Sequence, residues 1–344
     1  MTYVLLSVLG LALLMVVHEG GHYLSARAFK MRVLRFSIGF GPAIWRHQPK
    51  GSPTTFQVAL IPFLAYVQID GMNPFEEIDP KDEGSYANAS LLGRMSTIFA
   101  GPFANYLFAS VLFFAALMIG GKEVATQKIF VLPDSPAAAA QLRDGDEIVA
   151  VAGETVRDWD HMRERISENP GKPIALDILR DGERLQLSVT PAASETGKGR
   201  IGVGPQTKLV PVGVGEATIT AIEQPARVVT GVIVGIGRML SGQEKPELAG
   251  PVGIVNETAK QIALGSANGL WFLGVLSAYL GAFNMLPIPA LDGGRFMFLL
   301  YEATTRRKPN PKMEAQVHAV GLVMMLALIA AVTIFSDIPS SSGN

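Results

Sequence analysis

Residues 16–24 read VVHEGGHYL. The stretch begins with the last two residues of a run, residues 1–17, that contains no charged residue. An acidic side chain at the centre of a membrane-spanning helix costs at least about 2.5 kcal/mol, so such residues are rare there unless they have a function. The two histidines and the glutamate of this stretch therefore indicate a functional site within a membrane-spanning part of the chain.

The composition is typical of a membrane protein that carries a soluble portion. Of the 344 residues, 49% are hydrophobic and 17% are charged, whereas ordinary soluble domains have about 25% charged residues. The formal net charge of -1 gives no overall basic footprint, so we expect no nucleic-acid partner. The absence of cysteine excludes disulfides, thiolate metal sites and a cysteine nucleophile.

Four stretches are long and apolar enough to form transmembrane helices, which need about 20 residues. They are residues 1 to about 24, 95–121, 261–291 and 317–336. We expect the shorter apolar run 228–237 to lie at the membrane interface or to re-enter the membrane. A cleaved signal peptide would begin with basic residues, which the chain lacks there, so we interpret the first run as a mature span.

The distribution of lysine and arginine predicts the orientation of these spans. Basic residues are frequent between the first and second spans and between the third and fourth, and they are absent from the first three residues and from the tail after residue 336. Because short cytoplasmic connections carry the excess of basic residues, we expect both termini and the long segment 122–260 to lie outside the cytoplasm.

Residues 33–70 contain two alternating apolar stretches around the turn sequence HQPKGSP. This pattern predicts a β-hairpin on the cytoplasmic side. The hairpin is apolar for such a position. Two interpretations remain open: it dips into the membrane boundary, or it forms a small sheet packed under the helices.

Residues 122–208 form the predicted soluble module, with the order strand, helix, strand, amphipathic helix and a hairpin with an Asp-Gly turn at 181–182. The run 134–153, which contains DSPA and GD, resembles a bacterial PDZ domain. Such domains bind peptides by strand addition beside a helix, and the resemblance places the groove between strand 128–132 and helix 160–168. Whether the domain binds peptide or only filters substrates by size stays open. The candidate groove residues are Lys128, Ile129, Phe130, Val131 and Leu132.

His18 and His22 lie four residues apart, so a helix presents both imidazoles on one face, where they can reach the same metal ion. Glu19 lies alongside them. The H-E-x-x-H pattern is typical of zinc metalloproteases, in which the glutamate acts as the general base for a zinc-bound water. We therefore predict one zinc ion per chain, with Glu19 as the catalytic residue.

A catalytic zinc site needs three protein ligands and an open position. The best candidate for the third ligand is Asp292 in the sequence FNMLPIPALDGGRF, which follows the third uncharged run at the same cytoplasmic depth as HEGGH. The alternatives are that Asp292 only caps a helix or that His318 is the ligand. His161 lies in the predicted outer module and is excluded.

HEGGH in a first span together with NMLPIPALDGG in a later one resembles the site-2 protease family of intramembrane metalloproteases, in its bacterial form with a single PDZ domain. The resemblance covers nearly the whole chain and departs from the family at Leu64-Ala65, where a Gly-Gly pair is common, which leaves open how the hairpin engages substrate. The further matching motifs are GFGP at 39–42, IPFLAYV at 61–67, AGPFANY at 100–106 and AGPVGI at 249–254.

The resemblance implies roles for particular residues. His18, His22 and Asp292 would bind zinc, and Glu19 would activate water. Asn284 matches a family asparagine close to the substrate, and it would donate to the scissile peptide or the developing oxyanion; the alternative is an interhelical hydrogen bond. We expect Asn105 to have that structural role.

The expected architecture is a polytopic α-helical membrane protein with four transmembrane helices, a membrane-associated β-hairpin and one extracytoplasmic PDZ domain of the α+β class. The boundaries are 1–30 for the first helix, 31–93 for the hairpin and loop, 94–121 for the second helix, 122–208 for the PDZ domain, 209–260 for the interfacial segment, 261–292 for the third helix, 293–316 for the cytoplasmic connection, 317–336 for the fourth helix and 337–344 for the tail.

By resemblance, the function is that of a zinc endopeptidase in the bacterial inner membrane that cuts single-span membrane proteins near their cytoplasmic end. The implied substrates are anti-sigma factors already trimmed by an upstream site-1-type protease, or remnant signal peptides. The alternative from another class is a membrane-anchored PDZ receptor with a non-catalytic metal site. A metal-ion transporter is disfavoured because the span 95–121 contains no acidic, basic or histidine residue.

Overall fold

A computed structural model describes residues 1–73, 79–194, 197–243 and 249–337, without the side chains of 62–64 and 336. The chain divides into two compact units. We call Met1–Gly120 with Gly213–Asn344 the membrane unit, and Gly121–Val212 the inserted unit. Of the predicted tail, all but the first residue lies outside the described residues, as does the side chain of Leu64.

The described residues form nine α-helices. They are α1 (Thr2–Ala28), α2 (Leu91–Gly120), α3 (Pro136–Ala139), α4 (Trp159–Ser167), α5 (Val214–Leu240), α6 (Pro251–Leu264), α7 (Ser266–Asn284), α8 (Asp292–Thr305) and α9 (Pro311–Val332).

The same residues form ten β-strands, three of them only two residues long. They are β1 (Val33–His47), β2 (Thr55–Ile69), β3 (Lys122–Val131), β4 (Glu147–Val151), β5 (Glu154–Thr155), β6 (Ile174–Arg180), β7 (Glu183–Val189), β8 (Ala192–Ala193), β9 (Gly199–Arg200) and β10 (Val203–Val210).

Five helices in the described ranges are long and apolar enough to cross a membrane, namely α1, α2, α5, α7 and the helix that begins with α9. The sequence predicted four. The additional one is α5, a helix of 27 residues in which the apolar run 228–237 is only one part. Charged residues interrupt the apolar pattern on both sides of that run, which is why the segment was expected to be short. Its Ala221 belongs to a buried hydrophobic cluster that also contains Phe113 of α2 and Ala278 of α7.

The predicted third span, 261–291, is not one continuous helix. The helix α6 ends at Leu264, and Gly265 adopts a φ of 145°, a conformation that glycine reaches without the steric penalty other residues have. The helix α7 then runs for 19 residues and ends before Pro287 and Pro289, which cannot continue a regular helix. The segment from 285 to 291 is therefore a turn that leads into α8.

The strands β1 and β2 pair antiparallel, but their register shows more than one simple hairpin. Phe36 lies opposite Val67 on one side and opposite Phe56 on the other. Each strand is therefore folded back near its middle, so that four extended stretches lie side by side. In β1 the fold falls at Gly39 and Gly41, which have φ values of 91° and 92°. A local pattern of alternating residues could not predict this doubling, because it depends on long-range register.

Large apolar side chains near the bends of β1 and β2 are exposed. An exposed apolar patch of this kind marks an interaction with a membrane or a partner, and it favours the interpretation in which the sheet dips into the membrane boundary. The exposed side chains are Phe40, Ile44, Trp45, Leu60 and Ile61.

The inserted unit confirms the predicted order of strand, helix, strand, helix and hairpin. Its main sheet has the antiparallel strand order β10-β3-β4-β6-β7, with β5 beside β4. Asp181 and Gly182 join β6 to β7 with φ values of 51° and 87°, as a two-residue type I′ turn requires. The helix α4 packs Met162 and Ile166 into a core that includes Leu176.

Asp146, from the Gly-Asp pair of the PDZ-like run, has a structural function. Its side chain is almost fully buried and accepts hydrogen bonds from the Arg180 guanidinium at 2.7 and 2.8 Å and from the Arg143 backbone N–H at 2.8 Å. Burial alone would raise the pKa of Asp146, but these donors outweigh it, so the pKa lies below its ordinary value of 3.8.

Candidate metal centre

Three side chains from distant parts of the membrane unit converge on one point. The Nε2 atoms of His18 and His22 lie 3.3 Å apart, and Asp292 Oδ2 lies 3.0 Å from the first and 3.2 Å from the second. Both histidines are buried, and the aspartate is largely so. The structure therefore brings together the three side chains that the sequence nominated as metal ligands.

The close packing of α1 against α2 places the histidines. Gly21 lies so near α2 that an added Cβ would be 2.2 Å from the backbone oxygen of Ala100, and one on Gly101 would be 2.3 Å from His22 Nε2. His22 Nδ1 lies 2.7 Å from the carbonyl oxygen of Thr97. Because a carbonyl can only accept, Nδ1 carries the hydrogen, and a neutral ring then has its lone pair on Nε2.

The turn after α7 delivers Asp292 as the first residue of α8. Two glycines follow it, and neither has room for a side chain: a Cβ on Gly293 would lie 2.1 Å from the oxygen of Leu286, and one on Gly294 would lie 2.5 Å from the oxygen of Ile288. The Asp-Gly-Gly sequence thus allows the chain to turn tightly back on itself. Asp292 lies in the first turn of α8, as expected if it only capped that helix. Its carboxylate nevertheless lies within 3.2 Å of both imidazoles.

The geometry of the three atoms fits a metal ion. In a tetrahedral zinc site with bonds of about 2.0–2.1 Å, the ligand atoms are roughly 3.3 Å apart. The observed separations of 3.0, 3.2 and 3.3 Å are close to the edges of such a tetrahedron. His18, His22 and Asp292 could therefore hold one ion at three corners and leave the fourth corner for water or substrate.

We call the arrangement of the ligand atoms of His18, His22 and Asp292 the triangle. Glu19 lies beside this triangle but is not part of it. Its Oε2 accepts a hydrogen bond of 3.0 Å from the backbone N–H of Val67 in β2. The carboxylate is therefore held between the metal-binding face of α1 and the sheet formed by β1 and β2. Sequence reasoning missed the contributions of Val67 and Thr97, because a backbone group carries no signal in the identity of its residue.

The two candidate asparagines have different surroundings. Asn284 ends α7, and its side-chain amide donates to the carbonyl oxygen of Leu280 at 3.0 Å. Asn105 is fully buried in α2, but neither polar atom of its side chain has a hydrogen-bond partner among the described residues. Only its backbone oxygen accepts an interhelical bond, from the hydroxyl of Ser277. The expected structural hydrogen bond from the Asn105 side chain is thus not made.

The remaining histidines do not join the triangle. His47 ends β1 and stacks on Trp45, whereas His161 lies in the inserted unit, where its Nδ1 accepts from the N–H of Arg157. His318 Nδ1 accepts from the N–H of Ala290 at 2.9 Å. The alternative of His318 as the third ligand is therefore not supported by its contacts.

We expect Gly21→Ala to lower the bound metal and the stability of the protein, whereas Gly20→Ala leaves both close to wild type. A Cβ at Gly21 would press on the α2 backbone and force the helices apart, with an overpacking penalty of about 1–3 kcal/mol. A Cβ at Gly20 would meet no atom within 4 Å. Metal analysis and thermal unfolding of the two variants check this, and equal behaviour would contradict the packing argument.

A buried ion pair joins α2 to the helix that begins with Asp292. The guanidinium of Arg94 binds both carboxylate oxygens of Glu302 at 3.0 and 2.6 Å, and the two side chains are only 10% and 11% exposed. In the sequence, Arg94 is one of the basic residues between the first two predicted spans, and its partner could not be predicted because it is 208 residues away.

We expect Glu302→Leu to destabilise the membrane unit by about 3–5 kcal/mol, because it leaves the Arg94 charge buried without compensation. The matched control is Glu223→Leu, which breaks an exposed pair with Arg227 on α5 and should cost no more than about 1 kcal/mol. Unfolding in mixed detergent–SDS micelles measures both variants. A Glu302→Leu effect no larger than that of the control would show that the pair has no stabilising function.

The structure corrects the predicted position of the PDZ-like groove. Strand β3 lies inside the sheet: Lys128 pairs with Glu147 of β4, and Val131 pairs with Val203 of β10. It therefore leaves no free edge for an added peptide strand at 128–132.

A cavity of about 980 Å³ lies instead between α4 and residues 198–203, and of the five predicted groove residues only Leu132 lines it. Local patterns could not reveal this, because β10 reaches β3 from about 75 residues further along the chain.

Comparison with known proteins identifies the family. The family model described as Peptidase family M50 matches residues 6–328. A "Putative zinc metalloprotease" of Nostoc sp. (strain PCC 7120) is 34% identical over 94% of this chain and 93% of its own length. Proteins with the same description from Rhizobium meliloti and Rickettsia conorii are 32% and 33% identical over 92% and 94% of this chain, and over 91% and 96% of their own. The chain therefore belongs to peptidase family M50, the site-2 protease family that its HEGGH and NMLPIPALDGG motifs resemble.

Proposed function

We propose that this protein is a zinc-dependent intramembrane endopeptidase that cuts single-span membrane proteins. The observation that carries the proposal is the triangle formed by His18, His22 and Asp292, which joins the first apolar helix to the start of α8. Zinc, bound once per chain, would supply a Lewis acid and bring the pKa of a bound water down towards about 7.

The ligand set suits this chemistry. Two neutral imidazoles and one carboxylate leave the divalent site with a net charge of +1. The bond from His22 Nδ1 to Thr97 fixes the tautomer and the orientation of that ring, which is the usual function of a second partner of a ligating histidine.

Glu19 would take the proton from the attacking water and pass it to the leaving amine. A general base must lie within hydrogen-bond reach of the proton that it takes, and Glu19 directly follows His18 on α1. The Val67 N–H holds its carboxylate at 3.0 Å, on the side of the site where the sheet lies.

The sheet would bind the substrate in an extended form. A helical substrate hides its carbonyls in backbone hydrogen bonds, so it must unwind locally before hydrolysis. The stretch 65–69 of β2 pairs with β1 through Phe36, while the Val67 N–H points to Glu19 on its other side. That side could accept an unwound segment by strand addition close to the base.

Asn284 would assist by donating its side-chain amide to the scissile carbonyl or to the oxyanion that develops there. In the structure this amide donates to the carbonyl oxygen of Leu280. Catalysis would therefore require Asn284 to exchange an intrahelical partner for the substrate.

The charge distribution and the bacterial relatives support the following proposal for the biological setting. We place the protein in the bacterial inner membrane, with both termini and the inserted unit outside and the site near the cytoplasmic side. In this arrangement α1, α2, α7 and α9 cross the membrane, whereas α5 lies at the membrane interface or re-enters without crossing. The inserted unit, which resembles a PDZ domain, would filter bulky substrates or bind a trimmed chain end in the cavity beside α4. Substrates would be anti-sigma factors trimmed by an upstream site-1-type protease, or remnant signal peptides.

Incubation of the detergent-purified protein with a single-span substrate tests the proposal. We expect cleavage near the cytoplasmic end of the span, located by product masses, which stops with 1,10-phenanthroline and returns when zinc is added. A protein that binds zinc and substrate but never cuts would contradict the proposal and favour a membrane-anchored PDZ receptor instead.

A further inference from the structure

The helix α9 touches the rest of the described chain through few residues, and two of them meet the turn before Asp292. Gly321 is the one buried residue of α9, and a Cβ added to it would lie 2.3 Å from the Cβ of Pro289. His318, one turn earlier, accepts the N–H of Ala290 at 2.9 Å. This contact uses the only ionisable side chain in the stretch 317–336.

The hydrogen bond defines the state of the His318 ring. A backbone N–H can only donate, so Nδ1 must present its lone pair, and the neutral ring carries its hydrogen on Nε2. Nε2 is buried and has no hydrogen-bond partner among the described residues. A buried donor without a partner is unfavourable, so the bond to Ala290 is the one hydrogen bond that holds this ring among the described residues.

Ala290 is a residue whose conformation needs support. Its φ of 74° lies in the left-handed region, which residues with a Cβ rarely adopt. Such a conformation persists only when the surrounding structure holds it, and it is often found at functional sites. Ala290 precedes Asp292 by two residues, so any change in its conformation would move the carboxylate.

We propose that His318 is a positioning residue of the metal site, which holds the Ala290 turn so that Asp292 meets His18 and His22. His318 acts through the backbone and touches neither the ion nor the substrate. The part of this inference that concerns the ion rests on the proposed function. The part that concerns the turn does not.

Two variants of His318 and one control test the inference. His318→Leu removes the acceptor, whereas His318→Asn can present its side-chain oxygen at nearly the position of Nδ1. Val320→Ala changes an exposed residue of the same helix. Hydrogen exchange of the peptide 285–296 in zinc-free protein reports on the turn, and competition with a chelator gives the rate of zinc loss.

We expect His318→Leu to speed exchange at Ala290 and to shorten zinc retention by about 10- to 100-fold, the usual effect of losing an outer support of a metal ligand. His318→Asn should remain within about 3-fold of wild type, and Val320→Ala should be unchanged. Ala290→Gly in the His318→Leu background should restore part of the retention, because glycine adopts this φ without strain.

Thermal unfolding of the zinc-free variants separates a local effect from a general loss of structure. Unchanged exchange at Ala290 in His318→Leu, or an equal defect in His318→Asn and His318→Leu, would overturn the inference. If wild-type protein held no zinc, the proposed function would fail, and the exchange data alone would still decide whether His318 holds the turn.

Discussion

Replacement of Glu19 by glutamine is expected to abolish cleavage while the zinc stays bound. Glutamine has nearly the same shape, and its amide oxygen can still accept the Val67 N–H, but it cannot take a proton from water. Loss of a general base typically lowers the rate by about 10²- to 10⁴-fold. Because Glu19 is not one of the three converging side chains, zinc binding should not depend on it.

The measurement pairs the cleavage rate of a single-span substrate with the zinc content of the same preparation. Substrate affinity should change little, so the effect should fall on kcat. Cleavage at the wild-type rate would remove Glu19 from the mechanism. Loss of zinc from the variant would instead make Glu19 a ligand and contradict the assigned geometry.

The second large effect is expected for Asp292→Asn, which should lose both zinc and activity. The substitution keeps the size of the side chain but removes the negative charge that a divalent ion needs opposite two neutral imidazoles. Changes to outer supports of metal ligands already cost about 10- to 100-fold in affinity, so loss of a ligand should lower zinc affinity by at least about 100-fold.

Zinc content after dialysis against a weak chelator checks this prediction. Asp79→Asn is a suitable control, because Asp79 is exposed in the connection before α2 and accepts a bond from the Lys81 N–H that asparagine can also accept. Full zinc retention by Asp292→Asn would show that the ligand set includes a different third residue.

The sequence was sufficient for the parts of the site that depend on local spacing and on membrane depth. The four-residue interval between His18 and His22 defines one helical face, and an uncharged flank made both residues conspicuous. Asp292 could be paired with them because its run is also predicted to end at the cytoplasmic side. The helical spacing and the predicted membrane depth together identify His18, His22 and Asp292, the three side chains that the structure brings together.

The parts that depend on long-range register or on backbone groups could not be predicted. The doubling of β1 and β2, and the insertion of β10 beside β3, are pairings between distant segments. Thr97 and Val67 act through backbone atoms. The length of α5 could not be predicted for a different reason: charged residues flank its apolar run, and three of its buried residues, Ala217, Ala221 and Pro225, lie before that run.

The functions of two neighbouring glycines could not be predicted from the sequence either. Gly20 and Gly21 are identical in the sequence, yet one faces open space and the other touches the backbone of α2. Which of them is needed depends on the face of α1 that meets its neighbour, and the weak amphipathic pattern of an all-apolar helix does not reveal that face.

X-ray diffraction of zinc-loaded crystals, recorded on both sides of the zinc absorption edge, would show directly whether His18, His22 and Asp292 bind one zinc ion together. We expect one anomalous peak per chain, about 2.0–2.2 Å from the Nε2 atoms of His18 and His22 and from a carboxylate oxygen of Asp292. A zinc peak bound to other side chains, or no peak between α1 and the start of α8 in protein that cleaves its substrate, would contradict it.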